Sequence, residues 1–177
     1  DWSRRPAAGY YSKPPMIAWV IEALTSAAGH KEWVLRLGAT AAMAGTAIVT
    51  FALTRRIAQR ESLALLAAGA ALAMPLAWAG SILMTIDPLL IFFWTLSMYW
   101  FHRAVNGEPG YWWLAGLALG GGMLSKYTIL LLLAAFGAYL LLADRKHWRT
   151  PGPYIMLAVM TLCMSGVIYW NAVNDWV

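Results

Sequence analysis

The sequence is poor in cysteine and in charge. Cys163 is its sole cysteine among 177 residues, so no disulfide can form within the chain and no redox compartment can be read from it. Charged residues make up 12% and hydrophobic residues 61%. A soluble domain carries about a quarter charged residues, so lipid is the better solvent for this chain. His30, His102 and His147 are too dispersed for a metal centre, no zinc-ligand spacing appears, and no Ser-His-Asp or Cys-His set stands out. The opening Asp1-Trp2-Ser3-Arg4-Arg5-Pro6 is polar and leads into no short apolar region, unlike a signal peptide. Without an initiator Met, and ending on loop-like Asn174-Asp175-Trp176-Val177, the sequence is expected to be cut from within a longer protein. A net charge of +5 would point to nucleic acid in a soluble protein, but here the basic residues flank apolar runs, so no nucleic-acid partner is expected.

What is present is a series of charge-free runs: 37–54, 62–86, 88–101, 109–125, 127–143 and 150–174. A membrane span takes roughly 20 residues; the short third run can be extended by snorkelling of His102 and Arg103. If each run crosses once, Arg55, Arg56, Arg60, Arg103, Arg145, Lys146 and Arg149 fall on one side, which becomes the cytoplasmic one. One long helix across 109–143 would put Arg103 and Arg145 on opposite sides, so two spans are expected to meet at a tight turn from Gly120-Gly121-Gly122 to Lys126. The fold class expected is all-α, a polytopic transmembrane helical bundle of about six spans. Residues 1–36 are expected to form an outer-face segment with an interfacial helix over Met16–Ala28, opened by Pro15 and ended by Gly29. Residues 37–177 form the helical membrane domain. The Ala-rich stretch 64–79 and Gly116, Gly120, Gly121 and Gly122 permit close helix packing in lipid; with no preceding strand they are no phosphate-binding fingerprint.

A few polar residues fall on the other, outer side. Asp87, in Met84-Thr85-Ile86-Asp87-Pro88, is either an N-capping acid at a helix start or a functional carboxylate at a span boundary. Lys126 lies between two apolar runs. It is either a snorkelling lysine, paired with an acid such as Asp87, or an anion ligand that suits phosphate. Lys13 is held by Pro14 and Pro15 and flanked by Tyr10 and Tyr11, which favours recognition over solvation. Arg36 at a span entrance is an interfacial anchor on composition alone. Lys13, Arg36, Asp87 and Lys126 together would suit an amphiphile with an anionic head group.

The ordered set Gly9-Tyr10-Tyr11-Ser12-Lys13-Pro14-Pro15-Met16-Ile17-Ala18-Trp19, Arg36-Leu37, Met84 to Trp94, Leu124-Ser125-Lys126-Tyr127-Thr128, Tyr169-Trp170-Asn171 and Asp175-Trp176 closely resembles bacterial members of the protein O-mannosyltransferase and aminoarabinose transferase superfamily, GT-C glycosyltransferases of the family 39 type. The resemblance covers essentially the whole chain. It implies a membrane enzyme that transfers a sugar from a polyprenyl-phosphate carrier to a glycan, lipid or protein acceptor, on the outer face of the bacterial inner membrane. It further implies that Lys13 contacts the carrier phosphate and that Asp87 matches a second acid. The principal catalytic acid is expected in an Asp-Glu pair upstream of Asp1. Tyr10, Tyr11, Arg36 and Lys126 join Lys13 as expected substrate-binding residues. No cofactor is indicated. Ser12 stands where some relatives carry a metal-binding Glu, so no metal ligand is assigned and a divalent-cation requirement stays open. The competing readings are a transporter or flippase for a lipid-linked anion, and a scaffold subunit. A transporter would need polar or broken helices on both sides, whereas the polar residues gather on one.

Overall fold

The computed structural model describes residues 7–10, 13–75, 80, 82 and 84–175, and among these the regular structure is entirely helical. The helices are α1 (Met16–Ala28), α2 (Glu32–Ala58), α3 (Glu61–Ala73), α4 (Ile86–Val105), α5 (Trp112–Ser125), α6 (Leu130–Leu142) and α7 (Gly152–Val173). Short 3-10 turns at Pro109–Tyr111, Tyr127–Ile129 and Arg145–Arg149 precede α5, α6 and α7.

The helix expected after Pro15 forms over the expected residues. Pro15 occupies the N-cap position, and Gly29 closes α1 at φ +82°, donating its N–H to Thr25 O at 2.8 Å. A residue with a Cβ disfavours that left-handed backbone, which is why glycine stands there. α2 is continuous for 27 residues, about 40 Å at 1.5 Å per residue. Its buried residues Val34, Gly38, Ala39, Ala42, Met43 and Thr46 recur at helical spacing along one stripe.

The run 62–86 behaves differently from the single uninterrupted span expected. α3 stops at Ala73, and Met74 is extended at ψ 134°. Pro75 explains the break: its ring clashes with a helical residue before it.

The chain on either side of Lys126 folds back on itself, as expected from the basic loops. The Phe101 ring in α4 stacks on Phe136 in α6 at 3.8 Å, and Trp112 at the start of α5 meets His147, beyond the end of α6, at 5.7 Å. A single helix over 109–143 could not bring those residues together. The turn, however, does not begin at the glycines. Gly120, Gly121 and Gly122 are buried inside α5, and the helix breaks at Lys126, which is extended at φ −162°. The glycines serve packing because each lacks the Cβ that would collide with a neighbour. A Cβ at Gly120 would fall 2.6 Å from Cys163 Sγ, one at Gly121 2.5 Å from Phe93, and one at Gly122 2.0 Å from Ile129.

α5 is therefore the centre of the bundle, buried nearly along its length between α4 and α7. Gly116 opposes Met156 and Gly152 opposes Trp112, so α5 and α7 pack directly and run parallel, with α6 as the return segment of the chain. α2 and α4 are parallel likewise, with Gly38 against Met84 and Gly45 against Phe92. One end of the bundle thus gathers the starts of α2 and α4 and the ends of α5 and α7. At the other end Glu108 binds both Arg56 and Arg103, with Arg103 Nε donating to Glu108 Oε2 at 3.0 Å. The Arg103 guanidinium also lies 3.7 Å from the Tyr111 ring centre, a cation–π contact.

Large apolar side chains point outward, including Leu66, Leu131, Leu142 and Leu162. α2 and α7 are long and apolar enough to cross a membrane, and their apolar windows are 28% and 22% buried within the chain. Faces left so bare are unusual for a water-soluble protein.

Gly116 gives a direct test of the packing. Its added Cβ would stand 2.4 Å from the Met156 carbonyl oxygen, and backbone cannot yield as a side chain can. Gly116→Val is expected to lower thermal stability by about 1–3 kcal/mol, while Gly137→Ala, whose Cβ meets nothing within 4 Å, should leave the melting temperature of the purified protein unchanged or higher.

Candidate active site

Asp87 and Lys126 meet. Lys126 Nζ donates to Asp87 Oδ1 at 2.7 Å, although the residues lie 39 apart in sequence. The helices set this up. Asp87 sits in the first turn of α4, where the helix dipole favours an anion, and Lys126 closes the C-terminus of α5, where it favours a cation. Because α4 and α5 are antiparallel neighbours, these opposite termini lie side by side. Lys126 also donates its backbone N–H to Gly122 O at 2.7 Å, which ends α5. Asp87 does not cap α4 with its side chain; Thr85 holds the N-cap position, and Pro88 falls in the first turn, where a missing N–H costs no helical bond.

The pair is half-open, with side-chain exposures of 46% for Asp87 and 37% for Lys126. Oδ1 is occupied by the ammonium, while Asp87 Oδ2 accepts no hydrogen bond among the described residues. A carboxylate so placed has one oxygen fixed and one available to an incoming hydroxyl.

Lys13 is exposed ahead of buried Pro14 and Pro15, with no ion pair among the described residues. Tyr10 precedes it and accepts a hydrogen bond from the Ala7 N–H at 3.0 Å through its hydroxyl. Tyr11 lies outside the described residues. Arg36 is not joined to the Asp87 pair. It binds Glu32 one turn back on α2, and its side chain is 54% exposed, the arrangement of an i,i+4 surface pair. Its helix nonetheless starts at the Asp87 end, since Gly38 lies against Leu24 and Met84.

The expected site residues leave out the contacts that hold Ala7, Ala8 and Gly9, just ahead of Tyr10. Gly9 is buried on the face of Trp170, where a Cβ would come within 2.9 Å of the indole, and a Cβ at Gly166 would stand 3.5 Å from Ala8. Trp19 Nε1 donates to Ala7 O at 2.9 Å. Residues 7–9 are thereby held between α1 and the end of α7. Gly9, Trp19 and Trp170 had all appeared in the quoted motifs, and a small residue beside widely separated tryptophans was the available signal. Among the described residues, no three His, Cys, Asp or Glu side chains gather as a metal site would require.

Residues 12–170 match the family described as dolichyl-phosphate-mannose-protein mannosyltransferase. The chain belongs to this family. The match to the mannosyltransferase family encloses Lys13, Arg36, Asp87 and Lys126. The chain is also 29% identical to the lipid A galacturonosyltransferase RgtD of Rhizobium johnstonii, over 98% of this chain and 37% of that protein. It is 24% identical to undecaprenyl phosphate-alpha-4-amino-4-deoxy-L-arabinose arabinosyl transferase 2 of Sodalis glossinidius, over 85% of this chain and 28% of that one. The chain thus spans about a third of the length of these curated relatives. No solved structure matches it significantly.

A half-exposed ion pair contributes little to stability, of order 0.2–1 kcal/mol. A double-mutant cycle of Asp87→Ala and Lys126→Ala, read by thermal melting, is expected to give coupling of that size. Coupling of about 3 kcal/mol, the cost of breaking a buried pair, would instead make the pair a structural element.

Proposed function

We propose that this chain is part of the membrane region of a glycosyltransferase that moves a sugar from a polyprenyl-phosphate donor to an acceptor at the outer face of the bacterial inner membrane. The observation that carries the reading is the Asp87–Lys126 pair, placed within a family match over residues 12–170 and at the end of the bundle opposite Arg56, Arg103 and Glu108. The basic end is then cytoplasmic by the positive-inside rule, and the Asp87 end faces out. On this reading the apolar runs cross the bilayer about six times, the segment interrupted at Met74 among them, and α1 lies along the outer interface.

The chemistry is a displacement at the anomeric carbon. The acceptor oxygen forms the new bond, the bond from carbon to the phosphate oxygen breaks, and polyprenyl phosphate leaves with the electron pair. The acceptor proton passes to a carboxylate base. Negative charge grows on the departing phosphate, and a preorganised cation stabilises it. Lys126 is already neutralised by Asp87, so Lys13, with no ion pair among the described residues, is assigned to the phosphate. Asp87 is assigned to the acceptor: Lys126 holds Oδ1, and Oδ2 orients the hydroxyl. The names of the two relatives support a lipid-linked sugar and a lipid A type acceptor.

In the full-length protein, Asp87→Asn and Lys13→Ala are each expected to lower sugar transfer by at least a hundredfold, the lower range for a removed acid–base or charge-stabilising group. The readout is label passing from polyprenyl-phosphate sugar to lipid A in isolated membranes, at equal protein levels. Wild-type turnover in both variants overturns the assignment.

A further inference from the structure

The Glu108 end carries a second feature, remote from Asp87 and unused by the proposed transfer. A cavity of about 480 Å³ is lined by Arg56, Ile57, Gln59, His102 and Asn106. Beside it on α2, a further opening of about 370 Å³ adds Arg55 and Tyr99. An apolar groove of about 300 Å³ continues from the first, sharing Ile57, His102 and Asn106, and runs between α2, α4 and α6 past Leu53, Met98 and Phe136. From Asn106 to Met98 the groove follows α4 for about 12 Å, away from the charged end. Gln59 fixes the rim: its backbone is left-handed at φ 55°, and its side-chain amide donates to Arg56 O at 2.7 Å.

The charges do not cancel. Glu108 is shared by Arg56 and Arg103, so that group keeps a net positive charge. Arg55 is exposed and pairs with no carboxylate among the described residues. His102 stands where the polar cavity meets the apolar groove, and its Nδ1 is buried without a hydrogen-bond partner among the described residues. A cationic recess opening into an apolar channel matches one class of molecule, an amphiphile with an anionic head and hydrocarbon tails.

We propose that this recess binds an anionic phospholipid of the leaflet at the basic end, its phosphate against Arg56, next to the opening lined by Arg55, and one acyl chain in the groove beside Met98 and Phe136. The proposal rests on the membrane reading above and adds a lipid site on the face opposite the one assigned to sugar transfer. A cation beside a lipid headgroup contributes about fivefold in affinity, so Arg55 sets the preference for anionic lipid. The groove sets the requirement for a chain.

The test uses the full-length protein in phosphatidylcholine vesicles with trace spin-labelled phosphatidylglycerol or spin-labelled phosphatidylcholine. Phosphatidylglycerol should be immobilised in preference. Arg55→Gln should cut that preference about fivefold, and Ala135→Trp, which fills the groove without changing charge, should release the immobilised phosphatidylglycerol while the protein's melting temperature is kept. Equal immobilisation of the two lipids, or no effect of either variant, overturns the proposal. Full competition by glycerol 3-phosphate also overturns it, because that would make the recess a site for a free phosphate. Immobilisation of neither lipid overturns the membrane reading itself.

Discussion

The structure depends on how closely other side chains approach the backbone of α5. Gly120, Gly121 and Gly122 present bare backbone to Cys163, Phe93 and Ile129, on three different elements. Aliphatic burial alone gives little direction in lipid, where the surrounding tails are as apolar as the side chains, so small residues that let helices touch carry the association. Once α4 and α7 are seated on α5, the end of α5 is fixed in space, and with it Lys126. The start of α4 is fixed beside it, and with it Asp87. The ion pair is thus a consequence of glycine packing one turn below it, which is why it can afford to be half-open and energetically weak.

The two ends of the bundle use charge in different ways. At the Glu108 end one carboxylate is held between Arg56 and Arg103, and Arg103 is held again over Tyr111. Those side chains tie the end of α2 to the link between α4 and α5, and their excess positive charge is not consumed. At the Asp87 end the matched acid and base leave one carboxylate oxygen open, while an exposed cation, Lys13, comes from a separate segment. Ala7 and Gly9, ahead of it in the chain, are tied down by Trp19 and Trp170. One end locks helices together; the other presents polar groups on a rigid support.

Much of this was legible in the residues. The helix after Pro15, the return of the chain at Lys126, and the grouping of Arg56 with Arg103 all follow from local signals: a proline at a helix start, a lone cation in apolar sequence, and basic residues recurring at alternate run ends. The Asp87–Lys126 pairing stood among the open readings, because opposite charges at neighbouring span ends have few other partners. Two features escaped. The break at Met74 was written in Pro75, but the absence of charge over 62–86 masked it, since charge-free length reports on lipid compatibility and not on backbone continuity. The glycines of α5 were read both as packing residues and as the start of a turn. Only the positions of Phe93, Cys163 and Ile129, which are tertiary facts, decide that they stay helical.

The pairing also redistributes chemical roles on the proposed reading. Taken singly, Lys126 and Lys13 are both candidates for a phosphate, with Lys13 the one the resemblance favours. Once Lys126 is bound to Asp87, transferring it to a phosphate would leave Asp87 without its partner, and the gain of one contact would be offset by the loss of the other. Lys13 carries no such cost. Ala7 and Gly9, a few residues ahead of it, are held by Trp19 and Trp170, and Pro14 and Pro15 just after it are buried; preorganisation of this kind favours binding. The carboxylate gains as well. Held through one oxygen, Asp87 presents the other in a defined direction, and a fixed acceptor at a half-exposed helix start is better suited to orienting a hydroxyl than a free side chain would be. On the proposed reading the same ion pair therefore favours Lys13 over Lys126 for the phosphate and gives the neighbouring acid its geometry.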